Sequence, residues 1–317
     1  MMTEPGASFD MIVVLGPTAS GKTRLAVALA GERGGEIISA DSRQVFRGMD
    51  IGSGKDLHEY GRVPHHLIDI LDAGGEFSVF EFQRRFLKAF AEISARGGVP
   101  ILCGGSGMYL DAALRGYRMV EAPYNTALRA ELVTWTDAEL IEELWRLKPD
   151  QHNRTDLLDR ERTVRAIEIA RVEAGSCSAC EPLPLFRTVV IGIHWDREAL
   201  RRRITERLRE RLDNGMIEEV QHLHAGGIAW ERLDYYGLEY RYVGGYLRGE
   251  MNRNDMFQRL NSAIHDFAKR QGNWFRRMER HGIAINWIKG SGDQSAQAGE
   301  IIRSGGIAPR ASDFSTH

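Results

Sequence analysis

The stretch 11-MIVVLGPTASGKTRLAVALAGER-33 decides the fold. Residues 11–16 are a short apolar, β-branched run ending in Gly16, the pattern of a buried strand. Residues 22–33 carry Leu25, Ala28 and Leu29 at helical spacing. Between them, 16-GPTASGKT-23 fits the pattern G-x-x-x-x-G-K-S/T, so strand, phosphate loop and helix arrive in the order this loop requires. Gly16 and Gly21 let the backbone wrap so that consecutive N–H groups point inward at phosphate oxygens, with the positive end of the next helix behind them. Pro17, Thr18, Ala19 and Ser20 complete the cradle, Lys22 adds a point charge for the terminal phosphates, and the Thr23 hydroxyl is placed to bind Mg²⁺. The loop predicts binding of a diphosphate or longer chain and does not by itself specify a nucleotide.

A second buried strand, 36-EIISAD-41, follows at once and completes a βαβ unit, hence a parallel sheet. Residues 67–72 form another apolar run. Residues 79–98 read as an amphipathic helix closed by glycines, and 99-VPILCGG-105 as a third strong strand before a helix over 106–116. This alternation predicts an α/β fold with a phosphate-loop parallel-sheet core. From about residue 119 strand patterns vanish and helical ones dominate, so 119–185 reads as an all-helical insert. The core is expected over 11–118 and 186–288, with a strand over 188–195, a helical C-terminal part and a last strand near 283–288. Residues 1–10 read as a flexible leader and 289–317, rich in Ser, Gly and Ala, as a disordered tail.

The 317-residue chain is long enough for a sizeable core, and its 43% hydrophobic and 27% charged residues are ordinary for a soluble domain. Its formal net charge is −2, so any nucleic-acid surface must be a local concentration of Arg and Lys. The three cysteines, Cys103, Cys177 and Cys180, allow one disulfide at most and suit a reducing compartment. The lone pair 177-CSAC-180 reads as incidental thiols in a loop, with zinc or redox use as the alternative. No run approaches ~18 apolar residues and no secretory leader pattern opens the chain, so the expectation is a cytoplasmic protein without membrane contact. The absence of a long apolar seam predicts a monomer.

Five further segments carry chemistry. Asp41 opens 41-DSRQVF-46 directly after the second strand, at the edge where open parallel sheets bind ligands. It reads as a Mg²⁺ ligand or general base, or else as a turn or N-cap residue. In 104-GGSGMY-109 two glycines permit close approach of a ligand and Ser106 offers a hydroxyl. In 159-DRERTVRAIE-168, Arg162 and Arg165 share a helix face, either a solvated surface or a contact for a phosphate backbone. The six arginines of 201-RRRITERLRER-211 are ambiguous in the same way. Finally, 265-HDFAKRQGNWFRRMER-280 interleaves basic and aromatic residues, fitting single-stranded nucleic acid or, preferably, a helix with its aromatics in the core.

Taken together, GPTASGKT, DSRQ, 48-GMDIGSGK-55, 64-PHHLIDILD-72, GGS-x-x-Y, DRERTVRAIE and AKRQ-x-x-WFR, in this order from about residue 11 to 288, resemble the tRNA dimethylallyltransferases (tRNA isopentenyltransferases). The resemblance implies transfer of a dimethylallyl group from dimethylallyl diphosphate to N6 of the adenine 3′ of the anticodon, in a tRNA anticodon stem-loop. It implies that residues 16–23 grip the donor's diphosphate with Mg²⁺. It also implies that Asp41, Ser42, Arg43, Gln44, Ser106, Arg129 and the segment Glu161, Arg162, Thr163, Val164 and Arg165 meet the tRNA, with Asp41 as general base and the helical insert as the tRNA-clasping domain. Arg241 matches the family's basic position near 237-GLEYRYVGGYLRG-249, where many members have G-Y-K/R preceded by an Arg. Here Glu239 replaces that Gly and Tyr235 and Tyr236 stand where the Arg is expected; the family's common GGT is GGS, and the Thr before the late Trp is Asn273.

Two other enzymes share the loop. An adenylate isopentenyltransferase acting on free AMP or ATP would need no extended Arg-bearing surface. A phosphate-loop kinase would transfer phosphate from ATP, and commonly places an Asp at the strand end where Cys103 is followed by glycines.

Overall fold

A computed structural model describes residues 9–116, 119–149, 159–175 and 183–305. The chain divides into two compact units, Met1–Arg115 with Leu185–His317, and Gly116–Pro184.

The first unit is built on a six-stranded sheet. Its strands are β1 (Met11–Leu15), β2 (Gly35–Ala40), β4 (His65–His66), β6 (Val99–Gly104), β7 (Thr188–His194) and β8 (Ile285–Lys289), in the order β4-β2-β6-β1-β7-β8. Every pairing is parallel. A small second sheet pairs β3 (Phe46–Arg47) with β5 (Leu71–Asp72), also in parallel. Both faces of the large sheet are covered, which is why its central strands read as continuous apolar runs. Ile12, Val14, Ile37 and Ile101 face one apolar cluster with Leu25 and Leu29 of α1 (Lys22–Arg33). Met11, Val13, Leu15, Ile38 and Leu102 face the other, with Phe82 and Phe86 of α2 (Val79–Ala95) and Phe275 of α11 (Arg253–Arg280).

The register sets the site. Leu15 pairs with Gly104, and Gly104 with Ala40, so β1, β6 and β2 end level. The loops that follow them, 16–23, 105–106 and 41–44, therefore leave the carboxyl edge side by side, where ligands of parallel sheets bind. Gly104 is required there, because a Cβ would lie 2.3 Å from the Ala40 carbonyl oxygen.

Two sequence expectations are corrected at the chain ends. Residues 289–305 are ordered rather than a loose tail. Asp293 accepts the Ala296 N–H at 2.9 Å and caps α12 (Gln294–Arg303), whose Ala298 and Ile302, one turn apart, bury against the α1 side of the sheet. The small-residue composition hid this stripe; residues 306–317 lie outside the described residues. Of the leader, residues 1–8 also lie outside them, but Asp10 is fixed, accepting from the backbone N–H and guanidinium of Arg187 at 2.8 and 2.7 Å.

The second unit packs α4 (Thr126–Leu132), α5 (Asp137–Leu147) and α6 (Arg160–Gly175) around Leu128, Leu132, Leu140, Leu144, Val164 and Ile167. A reciprocal capping box between Thr136 and Glu139 starts α5. Cys177 and Cys180 lie outside the described residues; Cys103 is a buried thiol whose pKa desolvation pushes up to about 12. Among the described residues no helix is long and apolar enough to cross a membrane.

Candidate functional site

The phosphate loop owes its shape to two left-handed residues, Ala19 at φ 61° and Gly21 at φ 90°, which turn successive N–H groups toward a common interior. Helix α1 has no side-chain cap, so its first N–H groups are not taken by the protein in that way. The outside of the loop is tied down. Trp195 Nε1 donates to the Ser20 carbonyl at 3.0 Å and Arg203 Nε to the Ala19 carbonyl at 2.8 Å, which keeps these oxygens turned away from the cradle. Thr18 N–H donates to Gln271 Oε1 at 2.9 Å, and Gln271 Nε2 donates to the Gly105 carbonyl at 3.0 Å. One buried amide on α11 thus clamps the loop after β1 to the loop after β6.

Among the described residues, Lys22 makes only a long 3.5 Å contact to the Pro17 carbonyl. Burial lowers its pKa, Cys103 and Asp41 act to raise it, and Arg207 and Arg211 lower it further. Lys22, Asp41, Arg207 and Arg211 therefore belong to one electrostatic neighbourhood. Thr23 is half-buried in the first turn of α1.

Asp41 takes part in a turn, as its bland reading predicts: one carboxylate oxygen accepts the Arg43 N–H at 2.9 Å. No described residue donates to the other oxygen, so the turn leaves half of the carboxylate available. Arg43 donates to the Tyr235 carbonyl at 3.0 Å and lies over the Tyr235 ring, 5.2 Å from its centroid. Ser42 is half-buried. Gln44 is buried, accepting from Ser39 Oγ at 2.8 Å and donating to the Gly54 carbonyl at 3.1 Å. Its amide shapes the turn and is not presented to a ligand. Ser106 sits at the N-cap of α3 (Gly107–Leu114) but its hydroxyl makes no capping bond, and its N–H donates to the Ala40 carbonyl at 3.3 Å.

Arg241 stands at the position that matches the family's basic residue. It lies on the exposed side of α10 (Leu238–Leu247), donating to the Asp234 carbonyl at 3.3 Å. With Tyr240 buried at the adjacent position, the helical turn of ~100° per residue carries Arg241 outward. The cations near Lys22 come instead from α7 (Arg197–Asp213). Arg203, Arg207 and Arg211 recur every fourth residue on one face, beside the buried stripe of Ile204, Leu208 and Leu212. The sequence left this helix undecided, although the i, i+4, i+8 arginine row was legible in it. In the aromatic–basic segment on α11, Phe275 is buried and the Trp274 ring occupies the space a Cβ on Gly107 would need, 2.1 Å away, whereas Phe267 is exposed with Arg270 over its ring. Lys55, in the GMDIGSGK stretch, is a fully buried lock donating to the Phe46 carbonyl at 2.7 Å, to Asp50 at 2.6 Å and to Asp69.

In the second unit, Glu168 is 1% exposed and accepts from Arg129 Nε at 2.9 Å, Arg165 at 2.9 Å and the Asn125 N–H at 3.0 Å. Burial acts to raise its pKa, but these hydrogen bonds prevail and hold the carboxyl below its ordinary range. Arg129 also pairs with Glu161 and lies over Tyr124, 3.9 Å from the ring centroid. Arg165 further donates to the Ala122 carbonyl at 2.6 Å. Thr163 and Val164 are buried, whereas Arg162 is exposed and its guanidinium has no partner among the described residues. The segment 161–165 is therefore half framework and half surface.

The sequence profile of the IPP transferase family matches residues 44–278. The chain is 66% identical to tRNA dimethylallyltransferase 2 of Trichlorobacter lovleyi, over 94% of this chain and 98% of that protein. It is 65% identical to tRNA dimethylallyltransferase 2 of Pelobacter propionicus, over 93% and 94%. Among solved structures it is similar to the full-length tRNA isopentenylpyrophosphate transferase of Bacillus halodurans, with a TM-score of 0.68 and 31% identity over 93% of this chain and 95% of that one. A eukaryotic dimethylallyltransferase acting on tRNA shares the fold, with a TM-score of 0.76 at 22% identity, over 93% and 78%. A phosphate loop and an acidic turn at one sheet edge, together with these matches, lead to one conclusion: the chain belongs to the IPP transferase family.

Proposed function

We propose that this protein transfers a dimethylallyl group from dimethylallyl diphosphate to N6 of the adenine 3′ of the anticodon in tRNA. The observation that carries this reading is the level ending of β1, β6 and β2, which sets a phosphate loop and the Asp41 carboxylate at the same sheet edge. A phosphate site alone would suit a kinase; a carboxylate in the electrostatic neighbourhood of Lys22 adds a proton acceptor beside a leaving-group site.

The amino group at N6 is a poor nucleophile because its lone pair is delocalised into the ring. The free oxygen of Asp41 takes the N6 proton as nitrogen bonds to the allylic carbon and the carbon–oxygen bond to diphosphate breaks. Such a positioned base contributes about 10²–10⁴-fold. Negative charge gathers on the departing diphosphate, where loop N–H groups and Lys22 stabilise it. Thr23, carried on the loop, is a hard oxygen donor that would hold Mg²⁺; when bound, the ion would neutralise diphosphate charge. The target base has to leave the anticodon-loop stack to reach this edge. Ser42, Arg43 and Ser106 are assigned to the tRNA near the base, and Arg162 to its phosphate backbone. Arg129 and Arg165 are assigned to shaping the second unit's tRNA surface. The protein is proposed to act as a cytoplasmic monomer.

Incubation with Mg²⁺ and labelled dimethylallyl diphosphate, offering tRNA and AMP separately, tests the reading. Label is expected in tRNA bearing the target adenine. Label in AMP alone would replace it with the free-nucleotide enzyme, and phosphate transfer from ATP with neither acceptor prenylated would replace it with a kinase.

A further inference from the structure

The pair Arg211–Glu239 has features that a structural ion pair between two helices does not need. Both side chains are largely buried, 12% and 20% exposed, yet their one contact is long, 3.4 Å from Arg211 Nη1 to Glu239 Oε1. Arg211 Nε is buried with no hydrogen-bond partner among the described residues. The backbone of Gly54 lies directly against the guanidinium: a Cβ there would meet Arg211 Nη2 at 1.6 Å. One turn away on α7, Arg207 pairs with Asp56, and one turn further Arg203 holds the phosphate loop itself. Glu239 stands in the first turn of α10, where the helix dipole favours an anion.

The electrostatics are unbalanced without a ligand. Burial pushes the Arg211 guanidinium down and the Glu239 carboxyl up, so each resists its charged form, and Arg207 and Arg211 both act against the charge of Lys22. Three cations thus converge beside the phosphate cradle, with a buried donor still unmatched. An anion longer than one phosphate, reaching from the loop toward the α7 row, would match them.

Resting on the function proposed above, we propose that Arg211 is a diphosphate-binding residue of this site, and that Glu239 is a placeholder carboxylate that holds its guanidinium until the donor's diphosphate takes over part of that bonding. A guanidinium in this position presents several N–H donors in a fixed fork suited to phosphate oxygens. Glu239 then remains as the second partner and orients the fork.

Isothermal titration of the full-length protein with inorganic diphosphate and Mg²⁺ tests this. The double variant Arg211→Gln/Glu239→Gln removes both charges together and avoids stranding a buried carboxylate. It is expected to keep the wild-type melting temperature without ligand and to bind diphosphate about ten- to hundredfold more weakly, the effect of one or two charge-assisted hydrogen bonds. Glu239→Gln alone is expected to bind diphosphate at least as tightly as wild type, because the competing carboxylate is gone. In turnover, the double variant's KM for the donor rises while its KM for tRNA does not. Wild-type diphosphate affinity in the double variant would overturn the proposal and make the pair structural, and so would much weaker binding by Glu239→Gln. Failure of the wild-type protein itself to bind diphosphate would instead remove the reading on which the proposal rests.

Discussion

The clamp made by Gln271 offers a quantitative test of how this site is held. Gln271→Leu keeps nearly the same volume and deletes both hydrogen bonds, leaving the Thr18 N–H and the Gly105 carbonyl without their partner. Each such bond contributes about 0.5–1.5 kcal/mol, and an orphaned buried group costs about 1–3 kcal/mol. The Thr18 bond is only partly buried, so water can replace part of it; a total of about 2 kcal/mol follows. That shifts the equilibrium between the ordered and disordered loop about 30-fold, at about 1.4 kcal/mol per factor of ten. The expected result is a fall of up to about 30-fold in kcat/KM for the donor at saturating tRNA. The KM for tRNA should stay unchanged, and inorganic diphosphate should stabilise the variant less against heat. Gln271→Glu should be worse: it still accepts from Thr18 but cannot donate to Gly105, and it sets a negative charge beside the phosphate cradle. A Gln271→Leu enzyme within twofold of wild type in donor kcat/KM, with an undiminished thermal shift, would refute the clamp.

Asp41→Asn keeps an oxygen for the Arg43 N–H, so the turn should survive while transfer falls about 10²–10⁴-fold and tRNA affinity stays near wild type; undiminished turnover would remove Asp41 as the base. Arg162→Ala should weaken tRNA binding and lower the slope of log affinity against log salt by about one, because that guanidinium has no described partner. Arg165→Ala should act mainly through the fold of the second unit, since its side chain is engaged by Glu168 and Ala122; equal salt slopes for the two variants would contradict this division. Glu168 has a folded pKa below its unfolded value, so its stabilisation is full above the ordinary carboxylate range and disappears as pH falls through the folded pKa. Glu168→Gln should therefore raise amide exchange in α4 and α6 at pH 7, by up to about 3 kcal/mol for a broken buried pair, with little further loss on acidification. A variant as protected as wild type at pH 7 would show that the pair contributes nothing.

Local chemistry was readable from the sequence wherever it resides in consecutive residues. The strand before Gly16, the glycines, Lys22 and Thr23 all lie within one short segment, and the apolar runs identify a sheet covered on both faces. What escaped depends on partners far apart in the chain. Gln271 meets Thr18 and Gly105, and Arg203 meets Ala19, across separations that no spacing reveals. Gln44 looked available in 41-DSRQ-44 because burial by Gly54 and Ser39 leaves no mark on a four-residue pattern. The arginines of α7 were visible as a row but not as a face, since only the neighbouring buried stripe shows which way the row points. The tail was misread because composition outweighed the two apolar positions, Ala298 and Ile302, that fix α12.

The central claim is tested most directly by mapping the product. Purified tRNA, with either adenine or guanine 3′ of the anticodon, is incubated with the protein, dimethylallyl diphosphate and Mg²⁺, then digested and read by nucleoside mass spectrometry. The account predicts one dimethylallyl increment, on N6 of that adenine, released diphosphate in equal amount, and no product from the guanine-bearing tRNA. An increment elsewhere in the tRNA, or diphosphate release without any nucleoside gaining mass, would contradict it.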